Sequence, residues 1–237
     1  MENIALIGID LGKNSFHLHC QDRHGKAIYR KKFTRPKLFE FLATCPATVI
    51  VMEACGGAHF MVRKLTELGH APKLISPQFV RPFVKTNKND FVDAEAICEA
   101  ASRPSMRFVK TRTESQQAMH ALHRVRESLV RDRVKATNQI QAFLLEFGIN
   151  APKDTTLIKR FAEILETNKL PPYMTGLLQK LREHYDYLVE QIKYLETQLQ
   201  ISLDADSAGQ RLLSIPCVGP LTASLLSTQL GDGSPCR

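Results

Sequence analysis

Between Thr113 and Phe147 the chain has no proline and no glycine, and Ala118, Leu122, Val125, Leu129, Ala136, Ile140, Phe143 and Phe147 recur at three- and four-residue spacing. That pattern fits one long amphipathic helix and no strand. Gly148-Ile149-Asn150-Ala151-Pro152 ends it, a short helix is expected over 155–166, and Pro171-Pro172 opens a second long helix. Along the second, Met174, Leu178, Leu181, Tyr185, Leu188, Ile192, Leu195 and Leu199 keep a heptad, the mark of a coiled-coil seam. Periodicity leaves two ways to close that seam, on the preceding helix or on a second copy of the chain.

The first 110 residues read differently. An apolar run from Ile4 to Ile9 ends in Asp10 and then Gly12, as a buried strand does where it leaves a core. Phe16–Cys20 alternates like a strand, Asp22-Arg23-His24-Gly25 is a turn, and Ala27–Phe33 is a third strand, so an antiparallel meander is expected. A helix follows from Pro36 to about Thr44. Ala47–Met52 is a buried strand ending in Glu53, Gly56-Gly57 leads into a helix to Leu68, and Ala71–Ile75 is another strand. Strand-helix-strand repetition implies a parallel half to the sheet, with ligands gathering beyond the carboxyl ends of its strands, where Asp10 and Glu53 lie. Arg81, Lys85 and Lys88 precede a helix that begins Asn89-Asp90-Phe91-Val92-Asp93. Asp90 and Asp93 share one face of its first turn. Capping needs only one carboxylate, and two on one face repel unless a cation sits between them. His17 and His19 share a strand face and, without further ligands nearby, read as plain strand residues and not a metal site.

Four carboxylates on rigid supports point to one or two divalent ions, Mg²⁺ or Mn²⁺ by the hardness of their oxygens. A two-ion site holds its metals ~3.5–4 Å apart and activates an oxygen nucleophile for phosphodiester chemistry. The net charge of +8 across 237 residues points to an anionic partner. Residues 107–135 concentrate it: Arg107, Lys110, Arg112, Arg124, Arg126, Arg131, Arg133 and Lys135 stand against Glu114, Glu127 and Asp132. Arg112, Arg124, Arg126, Arg131, Arg133 and Lys135 are the candidate nucleic-acid-binding residues. No apolar run approaches the ~20 residues of a membrane span. The scattered cysteines, with no C-x-x-C pair, read as reduced cytosolic thiols.

Three motifs in this frame resemble the DEDD transposases of the IS110 insertion-sequence group, relatives of the pilin-gene invertases. They are Gly8-Ile9-Asp10-Leu11-Gly12-Lys13, Met52-Glu53-Ala54-Cys55-Gly56 and Lys85-Thr86-Asn87-Lys88-Asn89-Asp90-Phe91-Val92-Asp93-Ala94. Ile215-Pro216-Cys217-Val218-Gly219-Pro220 is a fourth match. The resemblance implies an α/β ribonuclease H-like, RuvC-like domain over 1–110 with Asp10, Glu53, Asp90 and Asp93 as catalytic, metal-binding quartet. A helical coiled-coil region over 111–205 would bind nucleic acid and dimerise, and 206–237 would begin a helical C-terminal domain. The implied function is a metal-dependent DNA recombinase of the bacterial cytoplasm, guided by a structured noncoding RNA of its own element. Exchange between two DNA ends needs more than one active site, so the seam is expected to make a homodimer or higher homo-oligomer.

Leu212–Ala223 reads as helix, tight turn, helix, resembling a helix-hairpin-helix with Cys217 where such turns usually carry glycine. Family members continue for a further domain that supplies a serine nucleophile. Ser214, Ser224, Ser227 and Ser234 precede its motif and none is assigned that role, so the expectation is a truncated copy that binds nucleic acid but does not complete strand exchange alone. Other readings are a metal-dependent nuclease or junction resolvase, a non-enzymatic nucleic-acid-binding remnant, and a sugar-kinase or actin-like ATPase. Ile9-Asp10-Leu11-Gly12 resembles the first phosphate loop of the last, but a second such loop is missing.

Overall fold

The computed structural model describes residues 4–85 and 89–230; Lys88 and Ser234 therefore lie outside the described residues. The chain divides into two compact units, 1–113 and 114–237.

The first unit is built on a mixed sheet. Strands β1 (Leu6–Leu11), β2 (Phe16–Gln21) and β3 (Ala27–Phe33) form the expected meander, followed by helix α1 (Arg35–Ala43), β4 (Val49–Glu53), α2 (Ala58–Glu67) and β5 (Ala71–Ile75). Helix α3 (Pro77–Val80), a 3-10 turn at Arg81–Phe83, α4 (Asp90–Ala101) and β6 (Phe108–Val109) complete it. The strand order is β3-β2-β1-β4-β5-β6. β1 is antiparallel to β2 and parallel to β4, and β4 is parallel to β5. That order and sense are those of a ribonuclease H-like α/β domain. The antiparallel β6 was not legible in sequence, because two residues are too few to show a period.

Period-two alternation sorts the strands between two layers. Ile7, Ile9, Leu18, Cys20, Ile50, Met52 and Leu74 face α1 and α2, where they join Leu38, Leu42, Met61 and Leu65 in one buried cluster. The opposite face carries Val51 and Ile75 against Ala96, Ile97 and Ala100 of α4. Gly8 belongs to that second face. A Cβ there would meet the Ala94 carbonyl oxygen and come within 2.6 Å of Cys98 Sγ, so glycine is what lets α4 lie close against β1.

In the second unit α5 (Glu114–Glu146) and α8 (Pro172–Asp204) are the two long helices. The expected short helix is instead two, α6 (Asp154–Lys159) and α7 (Phe161–Thr167), because the backbone leaves helical values at Arg160 (ψ 7°). The heptad seam of α8 packs within the chain. Leu178 and Tyr185 are buried with Ala136, Ile140 and Leu144 of α5 and Phe161 and Ile164 of α7, and Leu188, Ile192 and Leu199 are buried farther along. Each such aliphatic side chain contributes roughly 1.5–3 kcal/mol of burial. The heptad therefore does not by itself require a second copy. A different row of α8, Tyr187, Tyr194 and Ile201 at seven-residue spacing, is 56–60% exposed.

Helices α9 (Ser207–Leu212) and α10 (Pro220–Leu230) flank the tight turn. Cys217 sits in it at φ 67°, the one non-glycine positive φ among the described residues. This is the position where the sequence pattern expects glycine, and an L side chain is strained there. No described helix is long and apolar enough to cross a membrane. Cys20, Cys45, Cys55, Cys98 and Cys217 are free thiols.

Candidate metal centre

The carboxyl end of β1 carries Asp10, and the register Gly8↔Val51, Ile9↔Met52 sets Glu53 at the matching end of β4. Alternation puts both on the face that α4 covers, because Asp10 follows Gly8 by two and Glu53 follows Val51 by two. α4 enters this face by its N-terminus. Asn89 is its cap, accepting the Phe91 backbone N–H at 3.0 Å. Capping thus uses neither Asp90 nor Asp93, although both stand in the first turn.

The antiparallel register pairs Asp10 with His17 directly across β1 and β2, so their side chains share the α4 face. His17 Nδ1 lies 3.9 Å from Asp10 Oδ2 and 3.4 Å from Asp90 Oδ2. One ligand atom from each of Asp10, His17 and Asp90 falls within 4.8 Å of the others. The His17 side chain is 5% exposed, and its Nδ1 is buried without a hydrogen-bond partner. The Phe91 ring meets the imidazole edge-on at 4.9 Å between centroids, fixing its plane.

Asp93 and Glu53 do not join that tight group but act on it electrostatically. Burial, then the carboxylates of Asp93 and Asp90 and more weakly Glu53, holds the Asp10 carboxyl up to about 6, with His17 opposing. Glu53 and Asp10 also add to the burial that raises the Cys55 thiol. Of the expected quartet, Asp10 and Asp90 are brought together and Asp93 and Glu53 lie around them. His17, expected as a plain strand residue, is set beside Asp10 and Asp90. Its sequence signal was its place in β2, seven residues after Asp10 across a tight turn in which the Gly12 N–H donates to the Ser15 carbonyl at 3.1 Å. Register, and hence the pairing, is invisible without the sheet. His19 is a plain strand residue: buried, its pKa lowered by burial and by Arg30, it accepts from Arg30 Nε at 3.1 Å.

Lys85 is placed by an ion pair. Its Nζ is 2.8 Å from Glu95 Oε1, while Arg30 of β3 donates to Glu95 Oε2 at 2.6 Å. These two cations hold the Glu95 carboxyl below its usual range, Lys85 first. They tie α4 to β3 and to the segment ahead of α4.

The donor set fits a divalent cation. Two carboxylates and a buried imidazole nitrogen without a hydrogen-bond partner converge on one space, with two further acids nearby, which is a donor set of oxygen and nitrogen ligands suited to a divalent ion. The separations of 3.4 and 3.9 Å between His17 Nδ1 and the two carboxylates are somewhat wider than the ~3 Å between adjacent ligands of an octahedral ion bound at ~2.1 Å.

The basic candidates fare unequally. Arg112 makes its contacts through the backbone, with its N–H donating to His59 Nδ1 at 3.2 Å and its carbonyl accepting from Arg63. Arg126 is turned inward and donates through both Nε and a terminal nitrogen to Glu196 of α8. Arg124, Arg131 and Lys135 are exposed and Arg133 half-buried. Ser224 is buried with its Oγ 3.0 Å from His123 Nε2, Ser227 donates to Asp206, and Ser214 donates to the Arg211 carbonyl.

Residues 7–149 match the transposase family model of the DEDD type named for IS110. Among curated proteins, the chain is 63% identical over 233 residues to the transposase of insertion sequence IS1328 from Yersinia enterocolitica, covering 98% of this chain and 70% of that one. It is 41% identical to a probable family 20 transposase of Pseudomonas aeruginosa, covering 99% and 71%, and 39% identical to the IS1111A transposase of Coxiella burnetii, covering 98% and 65%. Among solved structures, Thermus thermophilus RuvC in complex with a Holliday junction substrate aligns over 45% of this chain and 99% of its own at 10% identity and a TM-score of 0.34. A family match over more than half the chain, together with relatives this similar along nearly its whole length, makes the chain a member of the IS110-type DEDD transposases.

Proposed function

We propose that this chain is a metal-dependent DNA recombinase of its insertion sequence, acting at the centre formed by Asp10, Glu53, Asp90 and Asp93 with Mg²⁺ or Mn²⁺. The observation that carries the reading is the convergence of Asp10 and Asp90, from β1 and α4, on one buried imidazole nitrogen. When bound, a divalent ion would supply Lewis-acid stabilisation of the phosphoryl oxygens and a more acidic attacking hydroxyl. The chain's own contribution is to hold carboxylates on a rigid strand and helix end. Burial around Asp10 and the close fit of α4 on Gly8 keep that geometry fixed.

DNA and a structured noncoding RNA of the element are the proposed partners. Family membership supports the first, and the exposed Arg124, Arg131 and Lys135 of α5 supply charge for phosphates of either. A homodimer or higher homo-oligomer is proposed as the working state. Its support is the exposed Tyr187, Tyr194 and Ile201 row of α8, since the buried heptad is used within the chain.

Two assays test this. Mn²⁺ titrated into the purified chain should bind wild type and bind Asp10→Asn far more weakly, with circular dichroism unchanged; identical isotherms overturn the centre. With element RNA and donor and target DNA, any strand cleavage should require the divalent ion and be lost in Asp10→Asn. DNA products that persist in excess chelator overturn metal dependence.

A further inference from the structure

We infer that His17 is itself a metal ligand, binding through Nδ1 between Asp10 and Asp90, and that it biases the centre toward Mn²⁺ over Mg²⁺. This rests on the metal-dependent reading above and extends it to a residue outside the acidic quartet. Three independent features of the structure carry it. The strand register places His17 directly opposite Asp10, on the face that α4 covers. Its side chain is 95% buried, and Nδ1 is aimed at two carboxylates without a hydrogen-bond partner. Phe91, the residue beside Asp90, packs edge-on against the ring and so couples imidazole orientation to the helix end that delivers the second carboxylate.

A buried polar nitrogen left without a partner is costly, and proteins retain one where a ligand satisfies it. The surroundings name the ligand. Two acceptor-only carboxylates meet an acceptor nitrogen when the ring proton is on Nε2, and three acceptors around one space call for a cation. An all-oxygen quartet suits Mg²⁺, whereas an imidazole nitrogen shifts preference toward transition ions, of which Mn²⁺ also tolerates carboxylate oxygens. The competing role for His17 is a cationic partner that neutralises Asp10 and Asp90 and yields to the metal. The two roles predict opposite responses to its removal.

The test uses the full chain, Mn²⁺ and Mg²⁺ alone, and the variants His17→Gln and His17→Ala. Pulsed electron paramagnetic resonance of the Mn²⁺-loaded wild type should show ¹⁴N modulation from a directly bound imidazole, and the spectrum of either folded variant should lack it. Calorimetry should give a loss of about tenfold or more in Mn²⁺ affinity, a smaller loss for Mg²⁺, and hence a lower Mn²⁺/Mg²⁺ ratio. Mn²⁺ bound by wild type without ¹⁴N coupling overturns the inference and leaves the carboxylate centre standing. Unchanged or tighter Mn²⁺ binding in the variants also overturns it and assigns His17 the role of a competing cation. A wild type that binds no Mn²⁺ overturns this inference together with the metal-dependent reading. The wild-type spectrum decides the matter even where a variant fails to fold.

Discussion

His17 faces Asp10 across the β1–β2 pair, its Nδ1 3.9 Å from Asp10 Oδ2 and 3.4 Å from Asp90 Oδ2 on the helix above. The pairing gathers three chain segments around one space. It also concentrates negative charge in a partly buried site, which has consequences for stability as well as chemistry.

The metal-free chain should lose stability as pH rises toward neutrality because of Asp10. Its folded-state carboxyl is held up at about 6, above its ordinary value of 3.8, so the folded state binds the proton more tightly than the unfolded one. The associated stability is fully present below about pH 4 and is lost as pH rises through about 6. Asp10→Asn removes this slope. In chelator, urea unfolding should show the variant more stable than wild type by on the order of 1–2 kcal/mol at pH 7.5, a figure reduced for the solvent exposure of the side chain. At pH 4 the two should be nearly equal.

Gly8→Ala should damage the site without touching a ligand. The added methyl meets Cys98 Sγ and the Ala94 carbonyl, and the carbonyl belongs to a helix backbone that cannot rotate away. α4 must shift from β1, carrying Asp90 and Asp93 with it. Overpacking of this kind costs about 1–3 kcal/mol. Urea unfolding should report that loss, and Mn²⁺ titration a weakened site. Native stability with native metal affinity would contradict the account of this glycine.

The basic face of α5 should divide into charge for nucleic acid and charge for packing. Arg124, Arg131 and Lys135 are exposed, so replacing all three by alanine should leave the melting temperature nearly unchanged. The slope of log affinity against log salt should fall by up to about 3 for RNA or DNA. Arg126 is instead bonded to Glu196 across α5 and α8. A double-mutant cycle on that pair should give coupling of about 1 kcal/mol in stability.

The outer tyrosines of α8 should govern assembly. Tyr187→Glu with Tyr194→Glu places charge in a row that is more than half exposed, so folding should be little affected. Sedimentation should show the wild type as a homo-oligomer and the double variant as a smaller species. An identical sedimentation profile would leave assembly to some other surface.

The strand-ending carboxylates, the meander, the acidic helix start and both long helices were legible in the sequence, because each rests on short-range chemistry. Apolar runs closed by Asp10 and Glu53, Pro172 at a helix start and an unbroken 3.6-residue period are local signals. What closes the α8 heptad was not legible, since a periodic apolar face specifies that it will be buried and not against what; α5 of the same chain is the answer. The role of His17 was not legible either. The alternation of β2 shows that His17 and His19 share a face, but only the register across β1 gives His17 to Asp10, and only the approach of α4 over Gly8 brings Asp90 to both. Sequence by itself therefore determined which residues could bear chemistry and which elements would carry them. Tertiary structure decided which of those residues meet, because strand register and helix docking are set by packing between segments far apart in the chain.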